Sequence, residues 1–205
     1  MAHKRYKRNH LPNDRGNLDE CLCQSPSSMP TSYSPMMLRD TLLRVAAADC
    51  YRAHWSSRIL DEVTRNLISD YGMEPARAGL LRAVMEEAFP EANVEGWEPL
   101  EPAMRNHPKD RHVAAAAAAV GAGIIVTSNI RDFSDLPPGI VAMTPDDFLV
   151  SLLSKGADRL LEALAAQAAG YRRPTLSVVE LMERLSGIAP EFAAKALSIL
   201  STKAK

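Results

Sequence analysis

The chain has 205 residues, a hydrophobic fraction of 46% and a formal net charge of -1 at pH 7. This length can bury one core with a small extension, and the near-neutral charge excludes a protein that wraps a polyanion over its whole surface. No apolar run approaches the roughly 20 residues that cross a bilayer, and no apolar segment follows the basic start, so we expect a cytoplasmic protein outside membranes.

The first half of the chain reads as a disordered segment followed by helices. Residues 1–35 are rich in Pro, Ser and Asn and lack helical or strand periodicity, which predicts disorder. The first helical pattern starts at Met36. A short strand-like segment, YRAHW, follows, and then come a second helix capped by the pair Ser56 and Ser57 and a third opened by Pro75.

The second half alternates helices with short apolar runs. A short strand is predicted at 92–95, and it is followed by an alanine-rich helix at 109–120, the strands GIIVT and GIVAM, and a helix opened by Thr144 and Pro145. Further helices are predicted at 156–169, 177–186 and 190–201. The alternation indicates an α/β fold with a mostly parallel sheet covered by helices, at 36–153, and a small all-helical extension at 154–205.

Acidic or amide groups occur at four places where α/β proteins carry out chemistry, of which Asp40 on the first helix is the weakest candidate. Glu62 lies at the edge of an apolar helical stripe, so it either reaches a cleft or lies on the surface. Asp110 opens the alanine-rich helix, where helix capping alone explains a carboxylate. Thr127, Asn129 and Asp132 follow GIIVT. Ligands bind beyond such strand ends, but Asn and Asp are also ordinary turn residues.

Four segments in a fixed order resemble PIN-domain proteins of the VapC-like toxin group, over roughly residues 35–153. They are SPMMLRDTLLRVA, SSRILDEVTRNL, KDRHVAAAAAAVGAGIIVTSNIRDF and MTPDDFLVSLL. The resemblance implies a PIN-like fold in which these polar groups gather around one or two divalent cations. It assigns catalysis to Glu62, Asp110, Thr127, Asn129 and Asp132, and metal binding to Glu62, Asp110 and Asp132.

The resemblance implies a metal-dependent ribonuclease, and the chemistry of such a cluster explains the metal. Clustered carboxylates repel one another unless a cation neutralises them, and oxygen ligands suit Mg²⁺ or Mn²⁺. The resemblance further implies an RNA substrate, a cognate antitoxin protein and a homodimer. Four arginines near these segments either contact RNA phosphates or belong to the solvated surface: Arg39, Arg58, Arg111 and Arg131.

The chain departs from the family at its first strand. PIN enzymes of this type begin with a buried V-x-D-A-x-V-L-x-P strand, whereas residues 27–35 read SSMPTSYSP, with two prolines and no acid. We therefore expect a gap in the sheet, a missing metal ligand and weak or absent nuclease activity. One set of synonymous codons for SSMPTSYSP, read two nucleotides out of frame, encodes V-D-A-D-V-L-F-P. A frameshift or sequencing error is thus a hypothesis that the gene's nucleotide sequence tests.

Two other functions are compatible with the sequence. A non-enzymatic PIN-like protein would bind a partner or RNA without cutting it. A DNA-binding module would depend on the basic tail Lys4, Arg5, Lys7 and Arg8 and on the C-terminal helices, but no helix interleaves basic and base-reading residues. The helical extension could dock an antitoxin or a second subunit, or it could only cover an apolar edge of the sheet.

Overall fold

The structure is a computed structural model that describes residues 20–23 and 34–203. They belong to two compact units, one formed by 20–23 and 52–144 and the other by 34–51 and 145–203. The described strands are β1 (Glu20–Cys23), β2 (Arg52–His54), β3 (Ile124–Val126) and β4 (Val141–Met143). The described helices are α1 (Ser34–Ala47), α2 (Ser57–Ser69), α3 (Pro75–Ala88), α4 (Arg111–Val120), α5 (Pro145–Gly170), α6 (Val178–Leu185) and α7 (Pro190–Lys203). Among these, none is long and apolar enough to cross a membrane.

The first unit contains a four-stranded sheet in the order β2-β1-β3-β4, and every pairing is parallel. Cys23 pairs with Val126, which in turn pairs with Met143, so the carboxyl ends of three strands meet at one edge. This confirms the prediction of an α/β protein with a short parallel sheet. Because ligands of parallel sheets bind beyond this edge, it is where a functional site is expected.

The central position of the sheet is occupied by β1, between β2 and β3. The expectation of no strand before Met36, and of a gap in the sheet, is therefore wrong for Glu20–Cys23. Three consecutive apolar residues are too short for a periodic signal, and pairing with strands on both sides supplies what the local sequence lacks. The remainder of the segment predicted to be disordered, including most of SSMPTSYSP and the basic tail, lies outside the described residues.

Helices of the first unit begin and end close to the predicted positions. Ser56 caps α2 by accepting the backbone N–H of Ile59, and Pro75 occupies the first turn of α3. In α4, the side chains of Ala114–Ala117 are fully buried, and the helix lies against β1 and β3. Small side chains let a helix approach a sheet closely, so α4 holds its N-terminal residues near the strand ends.

The strand predicted at 92–95 is a different structure. Pro90–Ala92 forms a 3-10 turn, and only one parallel bridge, between Trp55 and Asn93, continues the edge of the sheet. Trp55 donates its N–H to Ala92 and accepts the N–H of Val94, each at 2.9 Å. These two bonds satisfy the backbone at the end of β2 without a further strand.

The second unit is helical. Its α5 is interrupted at Gly156, which leaves the helical conformation close to the predicted start of a separate helix. The capping box between Ser177 and Glu180 opens α6 as predicted. At the start of α7, Asp146 accepts the backbone N–H groups of Glu191 and Phe192, at 3.1 and 2.8 Å.

This unit joins α1 to the C-terminal helices. The side chains of Thr41 in α1 and Gln167 in α5 are fully buried and hydrogen-bonded to each other at 3.0 Å. The sequence predicts that α1 belongs to the main domain at 36–153. The boundary between that domain and the extension at 154–205 stays a prediction.

Candidate metal centre

Three potential metal ligands lie together beyond the carboxyl end of β3. His107 caps the 3-10 turn Pro108–Asp110 that leads into α4, and Asp132 lies in the turn Ile130–Phe133 that follows β3. One potential ligand atom from each of His107, Asp110 and Asp132 lies within 4.8 Å of the others. Opposite ligands of an octahedral Mg²⁺ are about 4.2 Å apart, so donor atoms at most 4.8 Å apart need only a small closure to share one such ion.

Two backbone hydrogen bonds fix these residues relative to one another. The N–H of His107 donates to the carbonyl of Asp132, and the N–H of Asp110 donates to the carbonyl of His107, both at 2.9 Å. Asp110 is buried at the N-cap of α4, although its side chain makes no capping hydrogen bond there. The carboxylate of Asp110 is therefore not engaged in capping α4.

The residues directly after β3 hold Asp132 in place. Thr127 is buried, donates its N–H to the carbonyl of Met143 at 2.9 Å, and accepts the N–H of Asn129 at its side-chain oxygen at 3.1 Å. The side-chain amide of Asn129 donates to the Asp132 carboxylate. Thr127 and Asn129 thus position Asp132, and the structure brings together four of the five catalytic residues assigned by sequence: Asp110, Thr127, Asn129 and Asp132.

Lys109 supplies a positive charge to both carboxylates. Its Nζ lies 2.6 Å from Oδ2 of Asp132 and 3.9 Å from Oδ2 of Asp110. The hydrogen bond from Lys109 is the main reason that the pKa of Asp132 lies below its ordinary value, and the same bond raises the pKa of Lys109. The carboxylates of Asp110 and Asp132 thus already attract one positive charge, that of Lys109.

We expect the Lys109→Met variant to have a higher Asp132 pKa, since the main cause of its lowering is removed. The lowered pKa of Asp132 means that the pair stabilises the fold above the unfolded carboxyl value, about 3.9, and that this is lost as pH falls through the folded value. The raised pKa of Lys109 means that the stabilisation is present below about 10.4 and is lost as pH rises through the folded value.

Carboxyl NMR titration in a buffer with a chelator measures the Asp132 pKa directly. Urea unfolding of both proteins across pH should show a difference in free energy that is constant near neutrality and shrinks in strong acid and strong base. An unchanged Asp132 pKa in Lys109→Met would contradict the assigned cause.

Glu62, the fifth assigned residue, is not part of the His107 group. Its Oε2 lies 3.2 Å from Nε2 of His112, a fully buried residue in the first turn of α4. Nδ1 of His112 is buried and has no hydrogen-bond partner among the described residues. The tautomer with its proton on Nε2 is therefore favoured, because the other tautomer would bury an N–H without an acceptor. His112 thus orients Glu62.

Replacing His112 by alanine is expected to lower the free energy of unfolding by about 2–4 kcal/mol, because a fully buried ring is lost. The His112→Gln variant should lose less free energy of unfolding, because the glutamine amide can still donate to Glu62. Urea unfolding measures both variants. If glutamine and alanine destabilise equally, the contact with Glu62 contributes nothing beyond packing.

The four arginines assigned to RNA binding lie in different surroundings. Arg58 donates to both carboxylate oxygens of Glu101, at 3.0 and 3.1 Å, and lies over the ring of Trp97. Arg111 donates to the carbonyl of Asn106 at 3.4 Å, whereas Arg131 is exposed in the turn after β3. Arg39 is half-buried in α1, in the second unit.

Sequence reasoning missed three residues near Asp110. His107, Lys109 and His112 all stand within three positions of it, in the segment HPKDRH. That segment offered a signal, since imidazoles beside an acid are frequent metal ligands or ligand-orienting groups. Only the folded turn shows that His107 faces the acids while His112, five residues later, contacts Glu62 instead.

Comparison with known proteins gives two similarities. Residues 145–198 match the family described as VapC50 C-terminal domain. The chain is also 38% identical over 104 residues to "Putative ribonuclease VapC50" of Mycobacterium tuberculosis, an alignment that covers 49% of this chain and 62% of the relative. The chain thus spans less than two thirds of that relative's length.

No solved structure matches the chain significantly. The sequence similarities involve proteins of one named group, the same group that the order of the four segments indicated. The predicted resemblance to the VapC-like toxin group is thereby confirmed.

Proposed function

We propose that this chain is a metal-dependent endoribonuclease of the toxin-antitoxin type, built on a PIN-like fold, whose turnover is weak. The observation that carries the proposal is the convergence of Asp110 and Asp132 beyond the carboxyl end of β3, with donor atoms within 4.8 Å of each other. The name of the VapC50 relative supports RNA as the substrate class.

Asp110 and Asp132 would hold the cation, Mg²⁺ or Mn²⁺, with Glu62, which lies outside their group, as the further acid of the site from α2. When bound, a divalent cation supplies a more acidic water and offsets negative charge on the phosphate under attack. Thr127 and Asn129 orient the Asp132 carboxylate through their hydrogen bonds. His112 holds the Glu62 carboxylate at 3.2 Å. The residues of the chain thus position the acids.

The weak turnover follows from the first strand. The family pattern places an aspartate in this strand, but the only acid of β1 is Glu20, at its amino end. The carboxyl end, where Cys23 pairs with Val126, carries no acid within the strand. We infer that the site lacks one principal ligand. The nucleotide sequence across codons 20–40 tests the frameshift hypothesis for its origin.

Recognition of RNA and of protein partners belongs to the same proposal. Among the four assigned arginines, Arg131 is exposed beside the acids and is the best placed to contact a phosphate, while Arg58 is already paired with Glu101. We propose an antitoxin protein and a second copy of the chain as partners, in the cytoplasm. The C-terminal helices, which match a domain of VapC50, are a candidate docking element.

The test is RNA cleavage with excess protein over substrate, with Mg²⁺ or Mn²⁺ and with a chelator. We expect slow cleavage that the chelator and Asp132→Asn abolish. Asp135→Asn, an exposed acid three residues away, is the matched control and should cleave like the unmodified chain. Robust cleavage that Asp110→Ala abolishes would show that turnover is not impaired.

A second candidate function is a PIN-like protein that binds RNA or a partner without cutting. It is favoured by one observation, the missing acid at the carboxyl end of β1. The two functions differ in the cleavage test: cation binding without any cleavage, even with excess protein, supports the non-cutting protein.

A further inference from the structure

We propose that His107, Asp110 and Asp132 bind one divalent cation as a mixed nitrogen and oxygen site, and that the imidazole makes this site select Mn²⁺ over Mg²⁺. The inference rests on the proposed function in placing a cation here. It goes beyond that proposal by adding a ligand that the acidic set does not contain and by naming the preferred ion.

The geometry supports His107 as a ligand. One of its ring nitrogens belongs to the group whose donor atoms all lie within 4.8 Å of one another. His107 is tied to both acids by backbone hydrogen bonds of 2.9 Å, to the carbonyl of Asp132 and from the N–H of Asp110. Its side chain is exposed, and within the described part of the chain only its Nδ1 is engaged, as the acceptor of the Lys109 backbone N–H at 3.4 Å, so Nε2 is the nitrogen left for a cation.

The chemistry of the three donors decides the choice of ion. Mg²⁺ is a hard cation that requires near-ideal octahedral oxygen coordination and keeps several waters. Transition metals accept imidazole more readily, while carboxylates suit both Mg²⁺ and Mn²⁺. Two carboxylates and one imidazole therefore favour Mn²⁺, whereas the all-carboxylate set assigned from sequence leaves the two ions equivalent.

Two buried polar groups beside these ligands have no hydrogen-bond partner among the described residues. Asn106, which precedes His107, is 2% exposed, and both polar atoms of its side chain are unpaired. The buried hydroxyl of Ser128, between Thr127 and Asn129, is also unpaired. Buried amides and hydroxyls in native proteins nearly always have partners, and no described residue supplies one to either group.

Lys109 competes with a cation for this position. Its Nζ contacts Oδ2 of Asp132 at 2.6 Å, and this oxygen is a potential metal ligand. Two cations that share one carboxylate oxygen repel each other. The Lys109 side chain is 55% exposed, so it can turn into solvent when an ion binds. Removing its charge should therefore strengthen cation binding.

The experiment measures Mn²⁺ and Mg²⁺ binding to the full, metal-stripped chain by calorimetry, and nitrogen coupling to bound Mn²⁺ by pulsed electron paramagnetic resonance. We expect Mn²⁺ to bind at least about tenfold more tightly than Mg²⁺, with nitrogen coupling. In His107→Asn the coupling should disappear, and the preference should fall by about tenfold, in the range found for groups around metal sites. Asparagine suits this variant because it can still cap the 3-10 turn as His107 does.

Lys109→Met should bind Mn²⁺ several-fold more tightly, and the control Asp135→Asn should bind like the unmodified chain.

The inference is overturned if the unmodified chain binds no Mn²⁺, if bound Mn²⁺ shows no nitrogen coupling, or if His107→Asn keeps that coupling. Nitrogen-coupled Mn²⁺ binding without RNA cleavage would contradict the nuclease proposal and leave this inference standing. Metal-dependent cleavage with an unchanged metal preference in His107→Asn would contradict this inference and leave the nuclease proposal standing.

Discussion

Replacing Asp110 by asparagine is expected to weaken Mn²⁺ binding at least about 100-fold. Groups around a metal ligand already change affinity by about 10–100-fold, and Asp110 would be a direct ligand. The fold should persist, because the Asp110 side chain makes no capping hydrogen bond to α4 and asparagine is an equally good N-cap residue. Calorimetric titration with MnCl₂ measures the loss.

Asp135→Asn removes the same charge from an exposed position in the same loop and should leave Mn²⁺ binding unchanged. Circular dichroism of Asp110→Asn confirms that the helices remain. An Asp110→Asn variant that binds Mn²⁺ as tightly as the unmodified chain would remove Asp110 from the site, and with it the acid that connects α4 to the proposed chemistry.

Replacing Phe148 by alanine is expected to lower the free energy of unfolding by about 3–5 kcal/mol, because a buried phenylalanine leaves a large cavity. Phe148 lies in α5, within the residues that match the VapC50 C-terminal domain, and its side chain is fully buried. Its ring meets the ring of Tyr51 edge to face, with centroids 4.9 Å apart, a geometry worth roughly 1 kcal/mol more.

Urea unfolding measures the Phe148→Ala effect as a shift of the midpoint at unchanged slope. Val179→Ala, in α6, is the control. This valine is 47% exposed, so its loss should change the free energy of unfolding by less than about 0.5 kcal/mol. A Phe148→Ala effect as small as that of Val179→Ala would mean that α5 and the Tyr51 segment do not share a core.

Helix α4 connects the two acids Asp110 and Glu62. Asp110 and His112 stand two residues apart at the start of α4, so one helix supplies a candidate ligand and the donor that orients Glu62. A shift of α4 would therefore disturb both acids together. Because Ala114–Ala117 are buried against the sheet, α4 has little freedom to shift, which suits a site that must keep its geometry.

Helices and their ends could be predicted from the sequence because their signals are local. Ser56 caps α2, Pro75 opens α3, and the Ser177–Glu180 box opens α6, each through contacts within four residues. The apolar stripe of α2, Ile59, Leu60, Val63 and Leu67, is buried as its period predicts. Thr127, Asn129 and Asp132 could be singled out because they directly follow a recognisable strand.

Other features depend on pairing between distant segments and could not be predicted. Residues 92–95 look like a strand, but they make one bridge with Trp55 because β2 offers only a short edge there. The pairing of Glu62 with His112 joins residues fifty positions apart, through a helix packed on a sheet. No local period encodes such a contact.

The sequence by itself determined the α/β class, the helix ends, the resemblance to VapC-like toxins and the acids Glu62, Asp110 and Asp132 as candidates. The tertiary structure alone decided that Glu20–Cys23 lies at the centre of the sheet, and that His107 joins Asp110 and Asp132 while Glu62 pairs with His112. The physical reason is that helix caps and hydrophobic periodicity depend on residues only a few positions apart. Strand order and the distances between donor atoms depend instead on which distant segments the folded backbone brings together.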